Sequence, residues 1–246
     1  GGACPMYEEA AGDAQKLPRE APDAFLERRA ALMRHVPVSA EAQVAVPMLG
    51  PVTEHLPWLA TFLKGIGVGV RLIEPRASAL AEGELLCNSF DSCGPTKIAH
   101  ALCDVEAPYL FFPKILDSVD AFESGGEACV TQQSMPELVE QGLLARGRKT
   151  VVLRPVLSFS PGRNGEARAA SVLDTLRKTT LAPRADGGSL RRAIQDADRA
   201  QREFCEERAR AGEAAIAYGR RNRIPIVLVC GSMHVIHDPA IHATIP

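Results

Sequence analysis

Residues 44–73 read VAVPMLGPVTEHLPWLATFLKGIGVGVRLI, and this stretch decides the fold class. Val44 to Leu49 is a short apolar run of strand length, closed by Gly50-Pro51. GPVTEH reads as a loop. A helix follows from about Leu56 to Lys64, with Trp58, Leu59, Phe62 and Leu63 as its apolar residues. Gly65 and Gly67 end it, as glycines just past a helix commonly do. Val68 to Ile73 is the second strand. Strand, helix and strand in so short a span imply a parallel pair joined by a right-handed crossover. The fold class is therefore α/β, with Rossmann-like parallel sheet layers and flanking helices.

Outward from this unit the pattern repeats. Ala77 to Glu82 reads as a short helix. Pro95 to Cys103 and Tyr109 to Phe112 add a helix and a strand. Pro136 starts a helix to about Leu144, and Thr150 to Leu153 is a strand that continues as an extended segment, Pro155 to Phe159. A helix from about Arg168 to Lys178 precedes a Pro/Gly-rich break. Ser189 then caps a long helix, Leu190 to about Arg220, with Ile194, Ala197, Phe204 and Ile216 on its apolar face and Cys205 beside them in the core. Its Arg and Glu residues form a solvated face with i,i+4 pairs. Ile224 to Val229 (IPIVLV) is apolar throughout, the signature of a central strand in a parallel sheet. Upstream, Pro22 to Arg34 is a short amphipathic helix with Phe25, Leu26, Ala30 and Met33 on one side. The organisation expected is 1–37 as a helical or linker segment, 38–160 as an α/β domain, and 161–246 as the long helix plus the start of a second α/β unit.

The chain has 246 residues, 46 % of them hydrophobic, enough for a substantial core. A formal net charge of −2 with no basic block gives no support to nucleic-acid binding. There is no apolar run of membrane-crossing length and no secretory signal, so a cytoplasmic protein without membrane contact is expected. The opening GGACP and the closing HATIP read as the ends of a fragment of a longer chain. The seven cysteines are odd in number and irregularly spaced, which argues against a disulfide framework. No pair has C-x-x-C spacing, so any metal site is assembled from distant segments.

The chemistry concentrates in Asn88 to Lys114, NSFDSCGPTKIAHALCDVEAPYLFFPK. Asp91 or Ser92 suits a helix cap, and Pro95 suits the first turn. Cys93 then stands at the positive end of the helix dipole, where a thiolate is stabilised as nucleophile or as metal ligand. Lys97, one turn on, adds positive charge. Cys129 has a similar setting, beyond Gly125-Gly126 and near a helix. Both are placed toward the carboxyl ends of strands, where open α/β sheets form their sites. The residues alone leave two readings open: a functional pair, or unrelated loop cysteines. His234, His237, Asp238 and His242 are a metal group or a loop bonded to its own backbone, since their spacing does not put all three histidines on one helical face.

Five stretches carry a resemblance to the large-activase family related to 2-hydroxyacyl-CoA dehydratases (CoA-substrate-specific enzyme activases). VPMLGPVTEHLPWLATFLKGIGVGV resembles its first strand, Pro-aromatic helix and second strand. CGPTKIAHA is similar to its C-x-P-x-K-x-A-H-G segment, and PYLFFPKI to the strand that follows. EACVTQQSMPELV and IPIVLVCGSMHVIHDPAIHATIP resemble its C-P…P-x-x-I and G-R-P-Y-H-x-x-D-P segments, and GGACP matches more weakly. The chain departs from the pattern at Cys230-Gly231-Ser232-Met233, at His242 and at Ala101.

The resemblance implies Rossmann-like layers related to dehydratase subunits that hold a [4Fe–4S] cluster through cysteines. It makes Cys93 and Cys129 the metal-ligand candidates, Cys4 a third, and Lys97 a cofactor-binding residue. The implied partners are an ATP-dependent activase domain or a dehydratase subunit, with a homodimer also allowed. No nucleotide-binding motif of the activase kind is in this sequence, so ATP hydrolysis is not expected of it. The leading expectation is an iron–sulfur module for anaerobic electron transfer or activation in an acyl-CoA dehydratase- or reductase-type system. Two alternatives stand beside it: a non-redox binding or scaffold module of the same fold, and a thiol enzyme using Cys93 with His100 or His234 as base.

Overall fold

The computed structural model describes residues 20–37, 39, 41–87, 91–119, 125–160, 165–181, 183, 186–228 and 231. In chain order the elements are α1 (Ala24–His35), β1 (Val44–Pro47), α2 (Gly50–Glu54), α3 (Leu56–Gly65), β2 (Val70–Ile73), α4 (Ala79–Leu86), α5 (Gly94–Cys103), β3 (Tyr109–Phe111), β4 (Lys114–Val119), β5 (Gly125–Glu127), α6 (Val130–Ala145), β6 (Val151–Leu153), β7 (Val156–Ser158), α7 (Gly165–Leu176) and α8 (Gly187–Asn222).

The sheet expected from residues 44–73 is present. All of β1 is buried, and it pairs in parallel with β2 from Val44↔Val70 to Pro47↔Ile73. β3 pairs in parallel with β1 on the other side, and β6 with β3, giving the order β2-β1-β3-β6. The chain moves one way from β1 to β2 and then crosses back to β3. Right-handed crossovers in opposite directions put α3 and α5 on opposite faces. The helix contacts agree: α3 packs on α8 and α1, whereas α5 packs on α4 and α6.

A smaller sheet, β5-β4-β7, continues the same chain runs. Pro113 and Pro155 interrupt the two strands side by side, because neither can donate to a ladder. The ladder resumes across them: Phe112 N donates to Leu153 O at 2.9 Å, and Lys114 N to Pro155 O at 2.9 Å.

One apolar cluster runs from Ala31 and Leu32 in α1 to Phe204 in α8. Helix α3 is buried almost all round, including Trp58, Leu59, Phe62 and Leu63. It approaches α8 so closely that a Cβ on Gly65 would lie 2.6 Å from the Ala193 methyl. Gly67, at φ +82°, turns the chain out of α3 into β2. With 36 residues, α8 is about 54 Å long. Of its buried residues, Ala193, Ala197 and Phe204 lie in its first half and Gly219 in its last turn. Among the described residues no helix is long and apolar enough to cross a membrane.

Several local expectations are corrected. GPVTEH is helical, because Pro51 occupies a first-turn position of α2. α1 buries Ala31 and Leu32 rather than a Phe25/Leu26/Ala30/Met33 face, and Leu26 is 65 % exposed. α6 starts at Val130, and Pro136 lies inside it. Asp186, not Ser189, caps α8 by accepting from Gly188 N and Ser189 N. Ile216 is exposed. Residues 224–228 are not a strand: they form no ladder, and Val227 and Leu228 are more than four-fifths exposed. An apolar run signals a need for burial but does not name the surface that supplies it.

Candidate functional site

Cys93 is itself the residue that caps α5, in extended conformation, and neither Asp91 nor Ser92 takes that place. Its carbonyl accepts from Thr96 N at 3.0 Å and Lys97 N at 3.3 Å. Its thiol makes no bond to the first-turn backbone, but lies 3.3 Å from the Thr96 hydroxyl. Cys129 caps α6 in the same way. The N–H groups of Gln132 and Thr131, then the Thr131 hydroxyl, hold its thiol below the ordinary range, although none reaches the geometry of a full capping bond. Both cysteines are exposed.

The two helices run side by side in the same direction. The ring of His100 on α5 meets Gly142 on α6, where a Cβ would stand 2.6 Å from it. At the far end Asp104, just past α5, bonds Arg148 at 2.8 Å and lies 3.7 Å from Arg146, just past α6. With those ends tied, both cysteines project from the opposite, positive end of the pair. They are not level. α5 has 10 residues and α6 has 16, so Cys129 stands ~9 Å further along the helix direction.

Strand order reverses between β1 and β3, the position where open α/β sheets bind ligands. A small cleft lies there, lined by Leu49, Pro51, Phe112, Pro113, Gln132 and Met135. Gln132 and Met135 come from the first two turns of α6, so Cys129 adjoins this cleft.

The other predicted residues separate. Lys97 is held by Glu84 of α4 at 2.6 Å, its side chain only 13 % exposed. Cys103 is fully buried, and burial pushes its thiol up. Cys205 packs partly buried against the core, where burial raises its thiol too. His100 is buried, its basicity lowered by burial and then by Arg146, and it sits against Gly142 rather than beside Cys93. Cys4, Cys230, His234, His237, Asp238 and His242 lie outside the described residues. Among the described residues no three His, Cys, Asp or Glu side chains group as a metal site.

Sequence reasoning missed a buried polar centre on the other side of the sheet. Glu54, at the end of α2, is held between Arg28 at 2.8 Å and Arg208. Burial opposes its charge, but the two guanidiniums prevail and keep its carboxyl low. Next to it His55 stacks on Phe159 with centroids 3.5 Å apart, and its Nε2 lies 2.9 Å from Ser118 Oγ. Asp117 accepts from Ser158 Oγ, Phe159 N and Ser160 N. Trp58 Nε1 donates to Asp198 at 2.7 Å, and Arg168 pairs with the same carboxylate while lying over the Trp58 and Phe159 rings. The signal was the adjacent Glu54-His55 pair before Pro57-Trp58, read as loop because of Gly50-Pro51. This network ties α8, α7 and α1 to α2 and β4, so its evident work is architectural.

A family model described as a CoA enzyme activase uncharacterised domain matches residues 43–246. No curated protein and no solved structure matches the chain.

Proposed function

Since the chain belongs to the CoA enzyme activase domain family, we propose that it is an iron–sulfur module serving electron transfer or activation in an acyl-CoA dehydratase- or reductase-type system. The observation that carries this reading is the pair of exposed thiols, Cys93 and Cys129, capping two packed parallel helices at one end. Thiolates are the usual ligands of such clusters, and a helix N-terminus favours the negative charge they bring.

The donor set fits in kind and is incomplete in number. Two exposed thiols are half of a four-thiolate set. Cys4 is the next candidate from this chain. Lys97 contributes positive charge near Cys93, already shared with Glu84. A bound [4Fe–4S] cluster would supply one-electron chemistry. The chain's own part is to present the thiolates from rigid helices and to leave their end open to a dehydratase-type partner or an ATP-dependent activase domain.

Anaerobic reconstitution of the protein and of Cys93→Ala and Cys129→Ala, followed by iron and sulfide analysis, tests the proposal. Iron bound by the parent and lost in both variants is the result expected. A colourless, iron-free parent would leave a non-redox binding module as the reading of choice.

A further inference from the structure

The far end of α8 is an apolar tip that the rest of the chain leaves uncovered. Helix α8 runs antiparallel to α3: Ala193 meets Gly65, Asp198 meets Trp58, and Arg208 meets Glu54, past the carboxyl end of β1. Beyond Arg208 the helix continues to Asn222, a further ~21 Å. Arg223, at φ 56°, turns the chain back, and Ile224 N donates to Gly219 O at 2.9 Å. Ile226 seats on Gly219 so closely that a Cβ there would lie 2.8 Å from it. Val227 and Leu228 are left 81 % and 84 % exposed, beside half-exposed Ile226 and exposed Ile216, one turn back from Gly219. Among the described residues, 225–228 make no backbone hydrogen bond. Arg220, Arg221 and Arg223 lead into this run without an ion pair among the described residues, and no Asp or Glu stands between Ala214 and Leu228.

We propose that the tip is a self-association surface: the 224–228 segments of two copies of this chain pair about a two-fold axis, each burying the other's Val227 and Leu228. The sheet of the same copy is out of reach. The segment starts ~21 Å beyond Arg208, and its residues, fully extended, span at most ~18 Å. A second copy brings the same unpaired backbone and the same aliphatic side chains. Two copies of one segment related by a two-fold run antiparallel, which satisfies backbone and side chains together. Pro225 stands near the start of the segment, where a strand tolerates the missing N–H. The exposed aliphatic surface is on the order of 400 Å² per copy, so the pair belongs to the small interfaces below about 1,200 Å² in total and is a weak, concentration-dependent dimer. Three arginines from each copy gather at the joint, so repulsion opposes association and salt screens it. The dimer therefore tightens as salt rises, the reverse of docking on an acidic protein or an anionic membrane. Neither Cys93 nor Cys129 takes part, so this inference stands apart from the iron–sulfur reading.

Sedimentation velocity of the full chain tests it, on metal-free protein kept reduced so that the exposed thiols form no cross-link. Protein is taken from low to high micromolar in ~0.05 M and ~0.5 M NaCl. A dimer that grows with concentration and with salt is the result expected. Val227→Asp combined with Leu228→Asp should be monomeric throughout. Both side chains lie outside the core, so its circular dichroism and urea midpoint should match the parent. Leu85→Asp changes an equally exposed leucine on α4, 88 % exposed, and should dimerise as the parent does. A parent that stays monomeric at every concentration, a dimer that the double variant keeps, or one that weakens with salt overturns the proposal. A monomeric parent that co-sediments with phosphatidylserine vesicles, where the double variant does not, assigns the tip to a lipid surface and overturns it as well.

Discussion

His55 makes the fold acid-sensitive, and His55→Phe should remove much of that sensitivity. The imidazole is 6 % exposed, stacked on Phe159, and bonded through Nε2 to Ser118. Burial, reinforced by Arg168 and Arg208, lowers its pKa from 6.5 to about 4 against the opposing pull of Glu54. The unfolded chain therefore takes up a proton below 6.5 that the folded chain refuses until about 4. Stability is fully present above 6.5 and falls as pH drops through that window, by up to ~1.4 kcal/mol for each pH unit and about 3 kcal/mol in all. His100, also lowered by burial, adds in the same sense. Glu54 and Asp117, with carboxyls held low, lose their contributions only further into acid. Urea unfolding from neutral pH down to about 4.5 thus isolates the histidines. Phenylalanine keeps the ring stack on Phe159 but cannot titrate. The parent should lose about 2 kcal/mol more than His55→Phe across that range. Equal losses would refute the claim that His55 is buried in its neutral form.

Three further outcomes follow from packing and exposure. Gly142→Ala places a methyl 2.6 Å from the His100 ring, at a site where both partners are buried. It should destabilise by about 1–3 kcal/mol despite the better helix propensity of alanine, measured as a lower urea midpoint. Trp58→Phe leaves Asp198 without its indole donor and should cost about 1–3 kcal/mol by the same assay. In native protein Cys129 and Cys93 should react with iodoacetamide while fully buried Cys103 stays unlabelled until urea unfolds the chain. Labelling of Cys103 at the rate of Cys93 would contradict the packing of α5.

The parallel sheet was legible because Val44–Leu49 and Val68–Ile73 are short, apolar and separated by one glycine-terminated helix. Covalent order then fixes the crossover. That Cys93 stands at a helix start was legible, but not that it is the cap itself, and Cys129 was legible only as lying near a helix. Pro136 suggested a helix start, yet the helix runs through it, with Met135, Pro136 and Val139 buried to offset the lost backbone bond. The Glu54–His55 centre was not legible, because its partners Arg28, Ser118, Phe159 and Arg208 come from distant segments. Ile224–Val229 reads as a central strand, yet its described part, 224–228, is not one, for a related reason. Hydrophobicity reports what a segment prefers, and the pairing edge that satisfies it is a property of the whole fold.

The most direct test of the central claim is the iron and acid-labile sulfide content after anaerobic reconstitution, with absorption and EPR spectra, of the parent, Cys93→Ala and Cys129→Ala. The account predicts a cluster in the parent and its loss in each variant, with all three proteins folded by circular dichroism. A cluster that survives both substitutions, or an iron-free parent, would contradict it.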